Sequence, residues 1–201
     1  MTPRPRMPAA QRRQQIVTVA AGEFDRSGYA QSTMEHIADA VGIAKASLYY
    51  HFQSKEQLLL AIHEEFIELL LQRHGNRAGR GLAPEQQLLE VMGDILELME
   101  THRGHVRVFF EHHRELPTDA RPLIRSKRDR YERDVQRLFE EGVARGTLRP
   151  VEPRMATLAL FGMCNWAYQW YRVGGTLRSR EIAYTFWALL MRGVGAEEEA
   201  R

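Results

Sequence analysis

The sequence predicts an all-α protein. Three observations carry that prediction. Apolar residues recur at helical spacing in almost every segment, Ser-x-x-Glu/Gln capping boxes and Gly or Pro stops punctuate the segments, and no run alternates Val and Ile as a strand would.

In order, residues 9–27 carry Ile16, Val17, Ala20, Ala21 and Phe24 on one helical face, and Gly28 is a C-terminal stop. Ser32-x-x-Glu35 is a capping box opening a helix that ends near Ala40. Val41-Gly42-Ile43 is a turn, and Ala44 to Tyr50 a short helix. Ser54-x-x-Gln57 is a second capping box, opening a long helix with Leu58, Ile62, Phe66 and Leu69 on one side. Gly75 to Pro84 reads as a linker. Past it, helices are expected over 85–101, 105–116 (ended by Pro117), 122–145, 153–173 and 179–195, with Ser179 as a cap for the last. The tail 196–201 reads as solvated.

The chain has 201 residues, 44% hydrophobic and 27% charged, an ordinary globular composition. Its single cysteine, Cys164, cannot form a disulfide within one chain, which suits a reducing cytoplasm. The basic N-terminus has no apolar run behind it, so it is not a signal peptide. The longest near-apolar run, 158–171, is too short for a membrane span. The net charge of +2 is unevenly placed: residues 1–60 hold seven Lys/Arg against five Asp/Glu, and the remainder holds equal numbers. Arg4, Arg6, Arg12 and Arg13 precede any acid, so residues 1–8 read as a basic flexible arm of the kind that reaches nucleic acid.

The stretch 32–55, STMEHIADAVGIAKASLYYHFQSK, has the grammar of a helix-turn-helix. Ala38 permits close helix approach, Gly42 takes the positive φ of a tight turn, and Leu48 pins the second helix to the core. Lys45, Ser47, Tyr49, Tyr50 and His51 surround Leu48 and are groups that a major groove or a phosphate can use.

The same residues carry a family resemblance. Phe24-x-x-x-Gly28-Tyr29, Ile37-Ala38-x-x-x-Gly42, Leu48-Tyr49-x-His51-Phe52 and Lys55-Glu56-x-Leu58 together resemble the DNA-binding region of TetR-type transcriptional regulators over about residues 9–70. The resemblance implies a nine-helix homodimer: a helix-turn-helix domain at 9–55, with the match running into the fourth helix, and a ligand-binding and dimerisation domain at 56–195. It also implies repression of a palindromic operator, released when a small molecule binds. The stretch Phe161-Gly-Met-Cys-Asn-Trp-Ala-Tyr-Gln-Trp-Tyr-Arg-Val-Gly-Gly175 resembles members that respond to acyl-CoA thioesters of fatty-acid, aromatic or sterol breakdown.

These readings define the expected sites. Lys45 donates to guanine or phosphate and Ala46 touches a thymine methyl, with Ser47 beside them at the recognition-helix start. The resemblance assigns Tyr50 and His51 to backbone phosphates and Tyr49 to the groove edge, with one of the tyrosines packed as the alternative. Ser32 and Thr33 open the preceding helix, and Lys55 reaches a phosphate from the other side; Arg4, Arg6 and Arg12 extend the basic arm. For the effector, Phe110, Trp166, Tyr168 and Trp170 offer apolar walls, and Arg107, Arg114 and Arg172 offer partners for an anionic group. A different hydrophobic effector, drug or metabolite, is the alternative. Helices 153–173 and 179–195 are the expected dimer seam. No cofactor, metal or membrane partner is expected, and a cytoplasmic location is. Catalysis is not expected either, since no HExxH, no Cys/His ligand set and no phosphate-binding glycine loop occurs; a helical protein-binding adaptor leaves the 32–55 grammar unexplained.

Overall fold

The computed structural model describes residues 7–77 and 79–192. Those residues form nine α-helices and no strand. They are α1 Ala9–Ser27, α2 Met34–Val41, α3 Lys45–His51, α4 Lys55–Gly75, α5 Pro84–Thr101, α6 Arg103–Glu111, α7 Arg121–Ala144, α8 Pro153–Trp166 and α9 Ser179–Arg192. The chain packs as two compact units, one of residues up to 69 with 102–126, the other of 70–101 with 127 onward. These bounds follow packing rather than the sequence division at 55/56: α6 belongs with the helix-turn-helix.

In the first unit, α1 buries the five residues expected of its face, Ile16, Val17, Ala20, Ala21 and Phe24. Gly28, at φ 79°, closes it by donating to the Phe24 carbonyl. The α2–α3 turn rests on Gly42 in the left-handed region (φ 74°, ψ 39°), whose N–H bonds back to Ala38 and Asp39. Leu48, fully buried, anchors α3. Ser54 accepts from the Gln57 N–H at 3.3 Å and the Gln57 side chain accepts from Gln53 N–H at 2.9 Å, so the second capping box is present with its return bond one residue early. α6 lies on α1 at backbone distance, and Phe109 packs on Phe66 with ring centroids 4.4 Å apart.

In the second unit α5 is buried almost all round, through Leu88, Val91, Met92, Ile95, Leu96, Leu98 and Met99. It packs against α8 and α9, while Val135, Leu138 and Phe139 bury one face of α7. α7 ends in a turn at Gly146 (φ 71°), where the Thr147 and Leu148 N–H groups both bond the Gly142 carbonyl.

Four local expectations need correction. The cap of α2 is Thr33, whose hydroxyl accepts from the His36 N–H, not Ser32. α6 stops at Glu111 rather than running to 116, because Arg121 captures the carbonyls of Leu116 (3.0 Å) and Arg114 (2.6 Å) and holds 112–116 as a turn. α8 stops at Trp166 and tightens into a 3₁₀ turn, Ala167–Gln169, as buried Ala167 accepts from both the Trp170 and Tyr171 N–H groups. Ser179 does not cap α9; Glu181 reaches back to the Arg178 N–H at 2.7 Å, while the Ser179 N–H goes to Glu100.

Candidate functional site

The α3 surface is built by what is buried beneath it. Leu48 points inward, so its neighbours on the helix point out. Lys45, Ala46, Ser47, Tyr49 and Tyr50 are exposed and His51 is half-buried. Tyr50 is 83% exposed and Tyr49 38%, so neither tyrosine is taken by the core. The Tyr50 and His51 rings meet edge-on, 5.2 Å apart. Met7, Pro8, Ala9 and Arg12 from the start of α1 and Ser47, Tyr50 and His51 from α3 line a hollow of about 670 Å³. The structure thus brings Arg12 beside α3, a grouping invisible in the sequence. Arg4 and Arg6 lie outside the described residues.

Lys45 pairs with Glu35 of α2, and its ammonium sits 5.8 Å from the Tyr49 ring centre. The hydrogen bond between them raises the Lys45 pKa and lowers that of Glu35, so both are ionised at neutral pH. Both side chains are solvent-exposed, which makes the pair easily exchanged for another partner.

Two residues expected at phosphates also bond within the chain. Ser32 is buried and its hydroxyl donates to the Gly28 carbonyl at 2.9 Å. Lys55 donates to the carbonyls of Tyr29 (2.8 Å) and Ser32 (3.0 Å) and stands 4.3 Å over the Tyr29 ring. Its ammonium ties the α1–α2 loop to the start of α4. Lys55→Ala should therefore lower the unfolding free energy by about 1–2 kcal/mol, as charge-assisted bonds of this kind do. The slope of log affinity for DNA against log salt should stay unchanged; the pair of measurements is a denaturant titration and a salt series.

The residues expected around an effector are divided between the two units. Arg107 is in the first unit, held by Asp25 (2.9 Å) and Glu111 (3.1 Å). Phe110 packs against Phe66 and Phe109, and Arg114 is exposed in the turn after α6. In the second unit Trp166 (63% exposed), Trp170 and Arg172 face outward, with Tyr168 half-buried. An apolar cavity of that unit, about 760 Å³, has a different lining: Phe139 of α7, the loop residues Thr147, Leu148, Arg149, Val151 and Glu152, faces of α8 and α9 that include Met155 and Trp187, and Glu85 of α5. The Trp187 indole N–H donates to the Glu85 carbonyl at 2.7 Å and fixes that wall. Helical pattern marks these residues as apolar faces but does not distinguish a cavity from a filled core.

α8 and α9 also present apolar side chains outward: Met155, Leu158, Trp166, Tyr184 and Leu189 are 41–63% exposed. Ile182, by contrast, is buried within its own unit. Positions 193–195 of the expected seam lie outside the described residues. Among those residues, no helix is long and apolar enough to cross a membrane, and no three His, Cys, Asp or Glu side chains converge as a metal set.

Comparison with known proteins places this geometry. Residues 16–62 match the family described as bacterial regulatory proteins, tetR family, and residues 81–194 match the tetracyclin repressor-like C-terminal domain. The HTH-type transcriptional repressor KstR2 of Mycolicibacterium smegmatis is 26% identical over 192 residues, spanning 94% of this chain and 93% of its own. Among solved structures, the TetR family transcriptional regulator PfmR from Thermus thermophilus superposes with a TM-score of 0.84 at 28% identity, covering 90% of this chain and 99% of its own. AibR, solved in complex with isovaleryl coenzyme A and operator DNA, superposes with a TM-score of 0.80 at 28% identity, covering 90% and 98%. The second of the two matched domains alone covers more than half of the 201 residues, and the protein belongs to the TetR family of transcriptional regulators.

Proposed function

We propose that the protein is a repressor that binds a palindromic operator as a homodimer and is released by a small-molecule effector, an acyl-CoA thioester. The observation that carries the DNA half is the outward face of α3, where Lys45, Ala46, Ser47, Tyr49 and Tyr50 are exposed around buried Leu48. Lys45 and Ala46, at its N-terminal end, read bases; Tyr50, His51 and Arg12 face phosphates across the hollow they line. Thr33 keeps its cap and adds an exposed hydroxyl at the start of α2. The seam is formed by the outward apolar residues of α8 and α9, and the two-fold it creates sets the operator's symmetry.

The cavity beside Phe139 and Trp187 supports an apolar effector, with Arg149 and the two acids Glu85 and Glu152 also in its lining. The thioester assignment rests on the Phe161–Gly175 pattern and on the similarity to AibR, whose complex holds isovaleryl coenzyme A. Because the cavity is mainly apolar and Arg107 is already paired, a hydrophobic effector without coenzyme A is the second reading. A gel shift on the gene's own upstream region, with and without a panel of acyl-CoAs, separates the two. Release by one chain-length class supports the first; binding that no thioester releases, and no calorimetric heat across the panel, removes it.

Lys45→Ala is expected to relax sequence choice, removing about 1–3 kcal/mol of discrimination between operator and scrambled duplex. Tyr50→Ala weakens both duplexes alike. Parallel titrations of each variant against the two duplexes read the difference directly.

A further inference from the structure

The second unit buries a guanidinium with half of its hydrogen-bonding edge unused. Arg77, 6% exposed, gives Nη1 to Asp94, also nearly fully buried. Its Nε and Nη2, which form the parallel two-donor fork on the other edge of the plane, have no partner among the described residues. The Tyr131 hydroxyl and His74 Nδ1 are likewise buried without a partner. The Tyr131 ring meets His74 edge-on at 6.2 Å and lies 5.7 Å from Phe161. A buried polar atom left unpaired costs free energy, and four on three neighbouring side chains call for a ligand.

The chemistry of that ligand follows from the donors. The Arg77 fork and the Tyr131 hydroxyl both give protons, and a two-donor fork fits the two oxygens of a carboxylate. Asp94 does not consume the positive charge of Arg77 alone, because Arg73 also reaches its carboxylate at 3.5 Å while bonding Glu97 at 3.2 Å. Two of its members share helices with the apolar cavity, since Tyr131 precedes Phe139 by eight residues on α7, about 12 Å, and Phe161 follows Ala159 on α8, while Arg77 lies in the turn after α4.

We propose that the unused edge of Arg77, together with the Tyr131 hydroxyl, is a binding point for a carboxylate carried by the effector. This rests on the reading that the protein senses a small molecule, but not on that molecule being a thioester. The carboxylate belongs either to a free acid or to the far end of a dicarboxylic acyl thioester, and matched probes distinguish them: hexanoate against hexanamide, and adipoyl-CoA against hexanoyl-CoA.

Calorimetry on the full-length protein tests the proposal. The carboxylate-bearing member of one pair should bind at least about tenfold more tightly, the scale of one good charged hydrogen bond. Arg77→Lys, which keeps the charge and loses the fork, and Tyr131→Phe, which removes only the hydroxyl, should erase that preference. Tyr131→Phe should leave the thermal midpoint of the free protein unchanged or raised, since the hydroxyl it deletes is unpaired there. Equal binding within both pairs, no binding by either carboxylate, or a preference that both variants retain would overturn the proposal, the last outcome pointing to ordered water at the fork. A clear fall in midpoint for Tyr131→Phe would overturn it too, by showing a structural partner. Tight but equal binding of the two thioesters, with hexanoate not preferred over hexanamide, rejects the carboxylate point and leaves the thioester reading standing. Hexanoate preference with neither thioester bound does the reverse.

Discussion

Gly104→Ala is expected to destabilise the protein by about 1–3 kcal/mol, although alanine is the better helix former by up to about 1 kcal/mol. Gly104 is the second residue of α6. A β-carbon there would lie 2.8 Å from both the carbonyl carbon and oxygen of Ala21 and 3.0 Å from the Gly22 nitrogen. Those atoms are the backbone of α1, so no rotamer change relieves the contact, and the helices must separate. Separation also loosens the ion pairs that Arg103 and Arg107 of α6 make to Asp25 of α1. Because α1 packs on α2, a displaced α1 disturbs the base of the reading head, and operator affinity should fall along with stability. The control is Gly22→Ala on α1. Its β-carbon meets only the end of the Arg26 side chain at 3.8 Å, so propensity should win and stability should hold or rise. Thermal unfolding of the two variants reads opposite signs from the same chemical change; at this size each kcal/mol moves the midpoint by about 2–4 °C.

That helix contact shows where sequence reasoning reaches its limit. The α1 face was legible because five apolar residues repeat at helical spacing, and Gly42 and Leu48 because a tight turn and a single inward anchor leave few residue types able to serve. The role of Gly104 is not legible, since a glycine that ends a helix and one that lets two backbones touch look alike in one dimension. Ser32 and Thr33 are adjacent hydroxyls, and a one-residue register shift exchanges cap for buried donor. The inward bonds of Lys55 are not legible because a four-carbon stem gives no sign of bending to carbonyls 23 and 26 residues back in the chain. The aromatic run of 166–171 reads as a continuous helix wall, yet the chain tightens at Ala167 and leaves Trp166 and Trp170 at the surface. Arg77 sits in the Gly- and Arg-rich stretch that composition marks as linker, and only the fold carries it to Asp94.

Asp94→Ala is expected to cost about 3–5 kcal/mol, the range for stripping one partner from a buried ion pair. The carboxylate itself is held at a price: burial raises the Asp94 pKa, and the hydrogen bond and charge of Arg77, then the charges of Arg73 and Arg180, offset that only in part. The folded protein therefore holds a proton on Asp94 more readily than the unfolded chain does. The contribution of this group to stability is complete below the ordinary carboxylate range and is lost as pH rises through the raised value. Deleting the side chain removes that cost but leaves the buried Arg77 guanidinium with Nη1 unpaired as well as Nε and Nη2. The uncompensated cation dominates, so the net effect is destabilising. Asp94→Asn, which keeps an acceptor but not the charge, should fall between wild type and Asp94→Ala. Replacing both partners, as Arg77→Met with Asp94→Leu, should recover most of the lost stability, because an apolar pair of similar volume leaves no charge to bury. Denaturant titrations of the three variants settle the ordering; if the double variant is no more stable than Asp94→Ala, the loss comes from packing at α5 and not from a stranded charge. If it is stable but no longer answers to effector, then the costly pair is kept for what Arg77 binds and not for the fold.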